Sequence, residues 1–214
     1  ITPDRGYAFS YRGVAREYHH STGAVYTDPV SKLNEQVSQI NDEGHKTSDI
    51  DVSIEDTNPI HGVPGCDRYY ARAVHDFDST CASPRCMQRR LTRAGMRSIS
   101  LAVDITNYVM LDLGQPLHAY DLDKIEGPIV VRRAHDGEHL TTLDGKDHEL
   151  HVEDLVICDS PRGNHGSRVL GLAGVMGGMY GEVTSETKNI LIEAAHFDPV
   201  SIARTARRHK IPSE

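Results

Sequence analysis

The sequence predicts an α+β fold, a sheet-rich domain of many short strands with flanking helices. Short apolar runs separated by turn residues recur along its second half, as the strands of a sheet do. Beside them, a few segments combine helical spacing with helix start and stop signals. At 214 residues, with 38% hydrophobic and 25% charged residues, the chain can bury a sizeable core.

Two helices are predicted from their ends. The first begins after Ser10, a favoured N-cap, and stops at Gly23, which tolerates the left-handed conformation that closes a helix. The second has Ser83 as its N-cap, Pro84 at the first helical position and Gly95 just past its end. Both segments are long enough for about three helical turns.

The central stretch, residues 104–121, joins a short helix to a forced chain reversal. Ile105, Val109 and Leu113 recur at helical spacing and form one apolar stripe. Gly114 closes this helix, and Pro116 prevents its continuation. Polar side chains fixed by a helix and a rigid turn suit the lining of a small-molecule pocket. The candidates here are Thr106, Asn107, Gln115 and His118.

The remaining elements are short strands and one last helix. Apolar runs predict strands at 67–74, 129–131, 155–158, 168–172 and 190–194. Val52 and Ile54 alternate with polar neighbours, as in an exposed strand, within an otherwise irregular region. Asp144-Gly145 predicts a hairpin turn, and Asp198 with Pro199 opens a helix that runs through residue 206.

The net charge of −8 argues against a protein that coats nucleic acid. The charge is uneven, because residues 28–56 hold eight acids whereas residues 85–97 hold five arginines and no acid. A second basic cluster covers residues 204–210. Such runs usually form solvated helix faces, although a local contact with one end of an RNA remains open.

No apolar run is long enough to span a bilayer, and no secretory signal is visible, so we expect a cytoplasmic protein without a membrane partner. The absence of an initiator Met suggests a fragment of a longer chain. The four cysteines fit neither zinc spacing nor a disulfide framework, and we expect reduced, buried thiols. They are Cys66, Cys81, Cys86 and Cys158.

A glycine-rich segment and one carboxylate are further candidates. Residues 171–178 lack the GxGxxG spacing of a dinucleotide site, so the glycines form either tight turns or a loop that lines a pocket. Glu193 interrupts an apolar strand. It either faces solvent or accepts a hydrogen bond from a buried ligand, since an unpaired buried carboxylate costs several kcal/mol.

Covalent and metal chemistry have little support in the sequence. There is no GxSxG elbow and no recognisable Cys/His pair, which favours a positioned water if the domain is a hydrolase. His135, His139, His148 and His151 could suggest a metal hydrolase, but no HExxH pattern or cysteine partner supports one, and we expect no metal.

The central stretch, DITNYVMLDLGQPLHAYD, resembles the signature DxTNYVMLExGQPLHAFD of the editing domain in the β subunit of bacterial phenylalanyl-tRNA synthetases. It departs from that signature at Asp112 and Tyr120, where the family has Glu and Phe. Residues 66–70, 83–84, 142–145, 171–178 and 193–199 resemble the same family in the same order. The resemblance implies an editing domain at 61–214, an acidic connector at 24–60 and, at 1–23, the end of a preceding, truncated β-subunit domain.

The resemblance also implies an activity, the hydrolysis of tyrosine wrongly attached to tRNA(Phe). Tyrosine differs from phenylalanine by one hydroxyl, which a pocket built to hydrogen-bond that group can select by about 10⁴-fold or more. By this resemblance Glu193 and the N–H of Gly174 hold the hydroxyl, and Ala173 keeps the pocket wall small.

By the same resemblance Thr106 and Asn107 line the pocket, while His118 is the catalytic residue that places the tRNA 3′ end and the attacking water. Whether His118 is also a general base is open. The implied partners are the tRNA(Phe) 3′ end carrying tyrosine, the synthetase α subunit and the remaining β-subunit domains. No cofactor is expected in this domain, since ATP and Mg²⁺ belong to the separate synthetic site. The alternative is a non-catalytic scaffold or binding module of the same subunit.

Overall fold

The computed structural model describes residues 3–31 and 49–211, and it confirms the α+β class. Contacts divide the chain into two compact units. Unit 1 comprises Ile1–Thr47 and Thr80–Leu117, and unit 2 comprises Ser48–Ser79 and His118–Glu214. Part of the predicted connector at 24–60 lies outside the described residues, and the predicted domain boundaries stay a prediction.

Unit 1 contains a 3₁₀ segment and helices. The 3₁₀ segment is Pro3–Phe9, and the helices are α1 (Tyr11–Thr22), α2 (Arg85–Arg93) and α3 (Leu101–Leu113). Ser10 caps α1 by accepting a hydrogen bond from the Gly13 N–H, and Gly23 closes it with φ of 74°, as predicted. These caps form from neighbours in sequence, which is why they could be predicted locally.

The predicted N-cap of α2 is wrong. Pro84 occupies the cap position and Ser83 caps nothing, although Gly95 does follow the helix end with φ of 86°. The Ser83 hydroxyl donates instead to the buried carboxylate of Asp104, at 2.5 Å. A buried carboxylate needs hydrogen-bond donors, and Asp104 also receives one from the Ser98 hydroxyl. The Ser83 hydroxyl therefore donates to this distant carboxylate and does not cap its own helix.

Helix α3 begins earlier than the predicted central helix. Ser100 is its N-cap, and Gly114 closes it with φ of 79°, as predicted. The predicted stripe of Ile105, Val109 and Leu113 is only half-buried. The fully buried side chains of α3 are Ala102, Asp104 and Thr106. The helix therefore buries a polar network that apolar spacing alone does not reveal.

Unit 2 is built on two sheets and a hairpin. The five-stranded sheet has the order β1-β4-β7-β8-β9, with β1 parallel to β4 and the other pairs antiparallel. Its strands are Val52–Glu55, Ile129–Arg133, Leu155–Asp159, Arg168–Leu172 and Met176–Gly177. The three-stranded sheet has the order β2-β10-β3, formed by Cys66–Val74, Ile190–Phe197 and Leu117–Asp121. The hairpin pairs β5 (His139–Thr141) with β6 (Asp147–Glu149), and α4 is Pro199–His209.

The predicted strands are confirmed, with small extensions at their ends. The hairpin turn at Asp144-Gly145 and the Asp198 cap of α4 are also confirmed. The strand at 52–55 is an edge strand of the larger sheet, and its Ile54 is 39% exposed.

The main core lies between the two sheets of unit 2. Alternate residues of β4 and β7 face it, together with side chains from the three-stranded sheet. Its buried members include Tyr69, Ala71, Tyr120, Ala173 and Leu191. The opposite face of the larger sheet packs a second cluster that includes Leu140 of the hairpin.

All four cysteines are free thiols. Cys66 and Cys158 are buried as predicted, whereas Cys81 and Cys86 are exposed, so the prediction of burial is wrong for these two. Their positions flank the start of α2, where the chain turns at the surface. Among the helices of the described residues, none has both the length and the hydropathy to cross a membrane.

Candidate functional site

Glu193 lies in the core of unit 2. It sits on the middle strand of the three-stranded sheet, opposite Ala71 of β2, and is only 6% exposed. Side chains two residues apart share one face of a strand, so Glu193 points the same way as the fully buried Leu191. This excludes the alternative in which Glu193 faces solvent.

Two tyrosine hydroxyls hold the carboxyl of Glu193. Tyr69 of β2 donates to Oε2 at 3.1 Å, and Tyr120 of β3 donates to the same oxygen at 2.7 Å. Within the described residues, Oε1 receives no hydrogen bond. The Glu193 carboxyl therefore has one oxygen held by the protein and one available to a ligand donor.

Burial raises the pKa of Glu193 to about 7, although the Tyr120 and Tyr69 hydrogen bonds partly oppose this by stabilising the ionised form. Burial beside this carboxyl also raises the pKa of both tyrosine hydroxyls, which keeps them as donors. At neutral pH the site thus holds a carboxyl that is partly ionised, with two neutral phenols against it.

Neither tyrosine was predicted from the sequence as a site residue. Tyr120 was visible as a departure from the family signature, where Phe stands, and Tyr69 lies within the matching segment 66–70. The signal that could have found them is a pair of buried hydroxyl groups beside a strand carboxylate that needs donors.

His118 lies on β3, two residues before Tyr120. The two rings pack edge to face with 4.5 Å between their centroids. On its other side the ring meets Gly177, where an added Cβ would stand 2.7 Å from the imidazole Cε1 and Nε2. Burial lowers the pKa of His118 to about 4, so the ring is neutral at pH 7. Neither ring nitrogen hydrogen-bonds to a residue that the structure describes.

Ala173 and Gly174 form the turn between β8 and β9. Ala173 is fully buried in the same core cluster as Tyr69 and Tyr120. Gly174 has φ of 64°, and its N–H donates to none of the described residues. An added Cβ at Gly174 would lie 3.0 Å from Phe197, which is on the same strand as Glu193. Ala173, Gly174, His118 and Glu193 thus all belong to unit 2, where Ala173 shares the core cluster of the two tyrosines.

Thr106 and Asn107 lie on α3, in unit 1. The Thr106 side chain is buried, and its hydroxyl donates to the Val103 carbonyl at 2.9 Å. Asn107 is half-buried. Their predicted place in the pocket stays a prediction.

Two of the four histidines considered for a metal site pair with carboxylates. His139 contacts Asp147 at 2.7 Å, and His135 contacts Glu138 at 3.5 Å. No group of three or more His, Cys, Asp or Glu residues with metal-binding geometry occurs within 3–31 and 49–211.

Comparison with known proteins identifies the relatives of this chain. It is 74% identical over its whole length to the phenylalanine–tRNA ligase β subunit of Bifidobacterium longum and 56% identical to that of Leifsonia xyli. It spans about a quarter of these curated relatives, 25% and 24% of their lengths. A crystal structure of an N-terminal fragment of the phenylalanyl-tRNA synthetase β subunit from Pyrococcus horikoshii aligns with a TM-score of 0.49 and 17% identity. That alignment covers 94% of this chain and 56% of the other.

These relatives agree with the resemblance carried by the central stretch and confirm it. The B3/4 domain family matches residues 65–214, which contain His118, the Ala173-Gly174 turn and Glu193. The chain belongs to the B3/4 domain family.

Proposed function

We propose that this domain hydrolyses tyrosine from mischarged tRNA(Phe), as the editing part of a cytoplasmic phenylalanine–tRNA ligase. The observation that carries the proposal is the carboxyl of Glu193. It already accepts two phenolic hydroxyls, at 3.1 and 2.7 Å, and its second oxygen receives none from the described residues. A tyrosine side chain offers the same donor group, whereas phenylalanine offers none.

Selectivity follows from the cost of leaving this carboxyl oxygen without a donor. When tyrosine is bound, its hydroxyl donates to Oε1 of Glu193, and the Gly174 N–H donates to the hydroxyl oxygen. Phenylalanine would cover the same buried groups without satisfying them, which costs several kcal/mol. Fully buried Ala173 keeps the wall beside the ring small.

The ester itself is activated, so the hydrolytic step needs placement more than a strong base. With a pKa of about 4, His118 is neutral at physiological pH and a weak proton acceptor. We therefore assign it a positioning role, in which the imidazole orients the tRNA 3′ end and the attacking water. The substrate is the tRNA(Phe) 3′ end, delivered by the assembled α and β subunits.

The test is deacylation of Tyr-tRNA(Phe) by the assembled ligase carrying Glu193→Ala, with Glu193→Gln as a second variant that removes the charge but keeps an acceptor oxygen. In Glu193→Ala we expect tyrosine release to fall by roughly 100-fold and the preference for tyrosine over phenylalanine to collapse, since both depend on this acceptor. Glu186→Gln, at an exposed position outside the site, is the matched control. Unchanged deacylation together with unchanged preference in the Glu193 variants would leave a scaffold or binding module as the function.

A further inference from the structure

Helix α2 in unit 1 carries a row of arginines. Arg85, Arg89 and Arg93 are spaced four residues apart and therefore lie along one helix face. Arg97 follows just after the helix, and all four are exposed. No acid occurs between residues 85 and 97.

The four arginine side chains of this row form no polar contact that stabilises the described part of unit 1. None of its four members forms an ion pair or hydrogen bond through its side chain with a residue that the structure describes. Arg90 of the same helix shows the contrast, because it lies over the Tyr11 and Tyr108 rings and pairs with Asp112 at 3.8 Å. One arginine of α2 is thus structural, while the row remains available.

The row also carries an energetic cost for its own helix. Like charges four residues apart repel and destabilise a helix. The chain as a whole has a net charge of −8, so the row is opposite in sign to the overall charge. Helix stability therefore does not account for the row, whereas a polyanionic partner would.

We propose that the arginine row of α2 binds the phosphate backbone of RNA. Guanidinium groups match phosphate oxygens bidentately, and about 12 Å separates the first and last arginine of the helix, which suits a run of consecutive phosphates. Helix α2 itself exposes no large apolar side chain that could form the centre of a protein interface, because Leu91 is buried and Met87 is half-buried. The choice of tRNA(Phe) as that RNA rests on the proposed function.

The experiment measures tRNA(Phe) affinity of the assembled ligase at several salt concentrations. The row variant carries Arg85→Gln, Arg89→Gln and Arg93→Gln. Each lost phosphate contact makes the slope of log affinity against log salt less negative by about 0.7 to 0.9, so we expect the slope of the row variant to be less steep by about 2. The corresponding Arg→Lys triple variant keeps the charges and should retain most of the slope.

The matched control removes the same number of charges from unit 2 through Arg68→Gln, Arg162→Gln and Arg207→Gln, all at exposed positions. A row variant with the slope of the wild type, or of this control, overturns the proposal. The proposal is also overturned if the row variant keeps the wild-type salt slope but has a lower melting temperature or a disassembled ligase. That result would indicate an acidic protein surface as the partner. Deacylation at saturating tRNA reports the Glu193 site separately, so failure there leaves the binding result interpretable.

Discussion

At the scale of single residues, the central feature is a carboxyl whose two protonation states have similar free energies near neutral pH. Burial favours the neutral form of Glu193, and the hydroxyls of Tyr69 and Tyr120 favour the ionised form. A charge-assisted hydrogen bond from a ligand hydroxyl is stronger than a neutral one. The two tyrosines therefore act on ligand affinity through the ionisation of Glu193, although neither needs to touch the ligand.

Replacing Tyr120 with phenylalanine tests this role. Tyr120→Phe removes the 2.7 Å donor but keeps the ring, so the pKa of Glu193 should rise further above its present value of about 7. We expect deacylation of Tyr-tRNA(Phe) to fall several-fold at pH 7 and to recover toward wild type as pH increases, because the carboxyl ionises again. The measurement is the pH profile of deacylation by the assembled ligase.

Tyr70→Phe is the control, since Tyr70 is 45% exposed on the same strand as Tyr69. A loss in Tyr120→Phe that is the same at every pH would contradict the argument, because it would indicate a change of shape and not of ionisation.

At the scale of elements, the β8–β9 hairpin positions the imidazole. Gly177 of β9 leaves room for the His118 ring, and the Tyr120 ring supports the other side. Close packing of this kind fixes the ring without a hydrogen bond from the described residues. The orientation of His118 thus depends on the absence of one side chain.

Gly177→Ala should displace the His118 ring. Its Cβ would stand 2.7 Å from the ring, which is a steric clash. The side-chain ring moves more easily than the backbone, so we expect the ring to shift. Since a displacement of about 1 Å can cost 100-fold in rate, we expect deacylation to fall by at least tenfold while the free energy of unfolding changes by only about 1 kcal/mol. The shift of the His118 ring resonances in an NMR spectrum reports the displacement directly.

Gly6→Ala provides the comparison, because an added Cβ at Gly6 meets nothing within 4 Å. Full activity in Gly177→Ala with an unchanged His118 resonance would show that the hairpin does not determine the orientation of the His118 ring.

The elements also show which features the sequence could predict. Ser10 and Asp198 cap their helices through the next few residues, so local patterns were sufficient. Ser83 failed as a cap because its partner, Asp104, lies 21 positions away. The direction of Glu193 was equally hidden, since nearly every residue of its strand is apolar and alternation is lost. Tyr69 and Tyr120 meet Glu193 only through the strand order β2-β10-β3, which no local pattern encodes.

At the scale of the whole molecule, each unit carries its own chemistry. Unit 2 holds the buried carboxyl of Glu193, and unit 1 holds the exposed arginine row. The chain covers about a quarter of its curated relatives, 25% for that of Bifidobacterium longum, so each proposal is tested in the assembled ligase. Folding stability, in contrast, can be measured on this chain, and there the two central titrating groups act in opposite directions.

The folded-state pKa of Glu193, about 7, exceeds its ordinary value of 4.5, so the folded protein binds this proton more tightly than the unfolded chain does. Its contribution to stability is therefore highest below pH 4.5 and is lost as pH rises to 7, by about 3 kcal/mol. His118 has a pKa of about 4, below its ordinary value of 6.5, so its contribution to stability rises as pH increases from 4 to 6.5.

Variants at these two positions should separate the opposing slopes. Urea unfolding between pH 4 and 8 should show Glu193→Gln gaining stability relative to wild type as pH rises, by up to about 3 kcal/mol, because the uncharged amide has no proton to lose. His118→Gln should diverge in the other direction, becoming less stable relative to wild type between pH 4 and 6.5, since it lacks the gain that the neutral, half-buried imidazole provides. Glu186→Gln, which removes one exposed acid, controls for net charge. Parallel curves for wild type and Glu193→Gln would mean that folding leaves the pKa of Glu193 at its ordinary value, which would also contradict the proposed role of Tyr120.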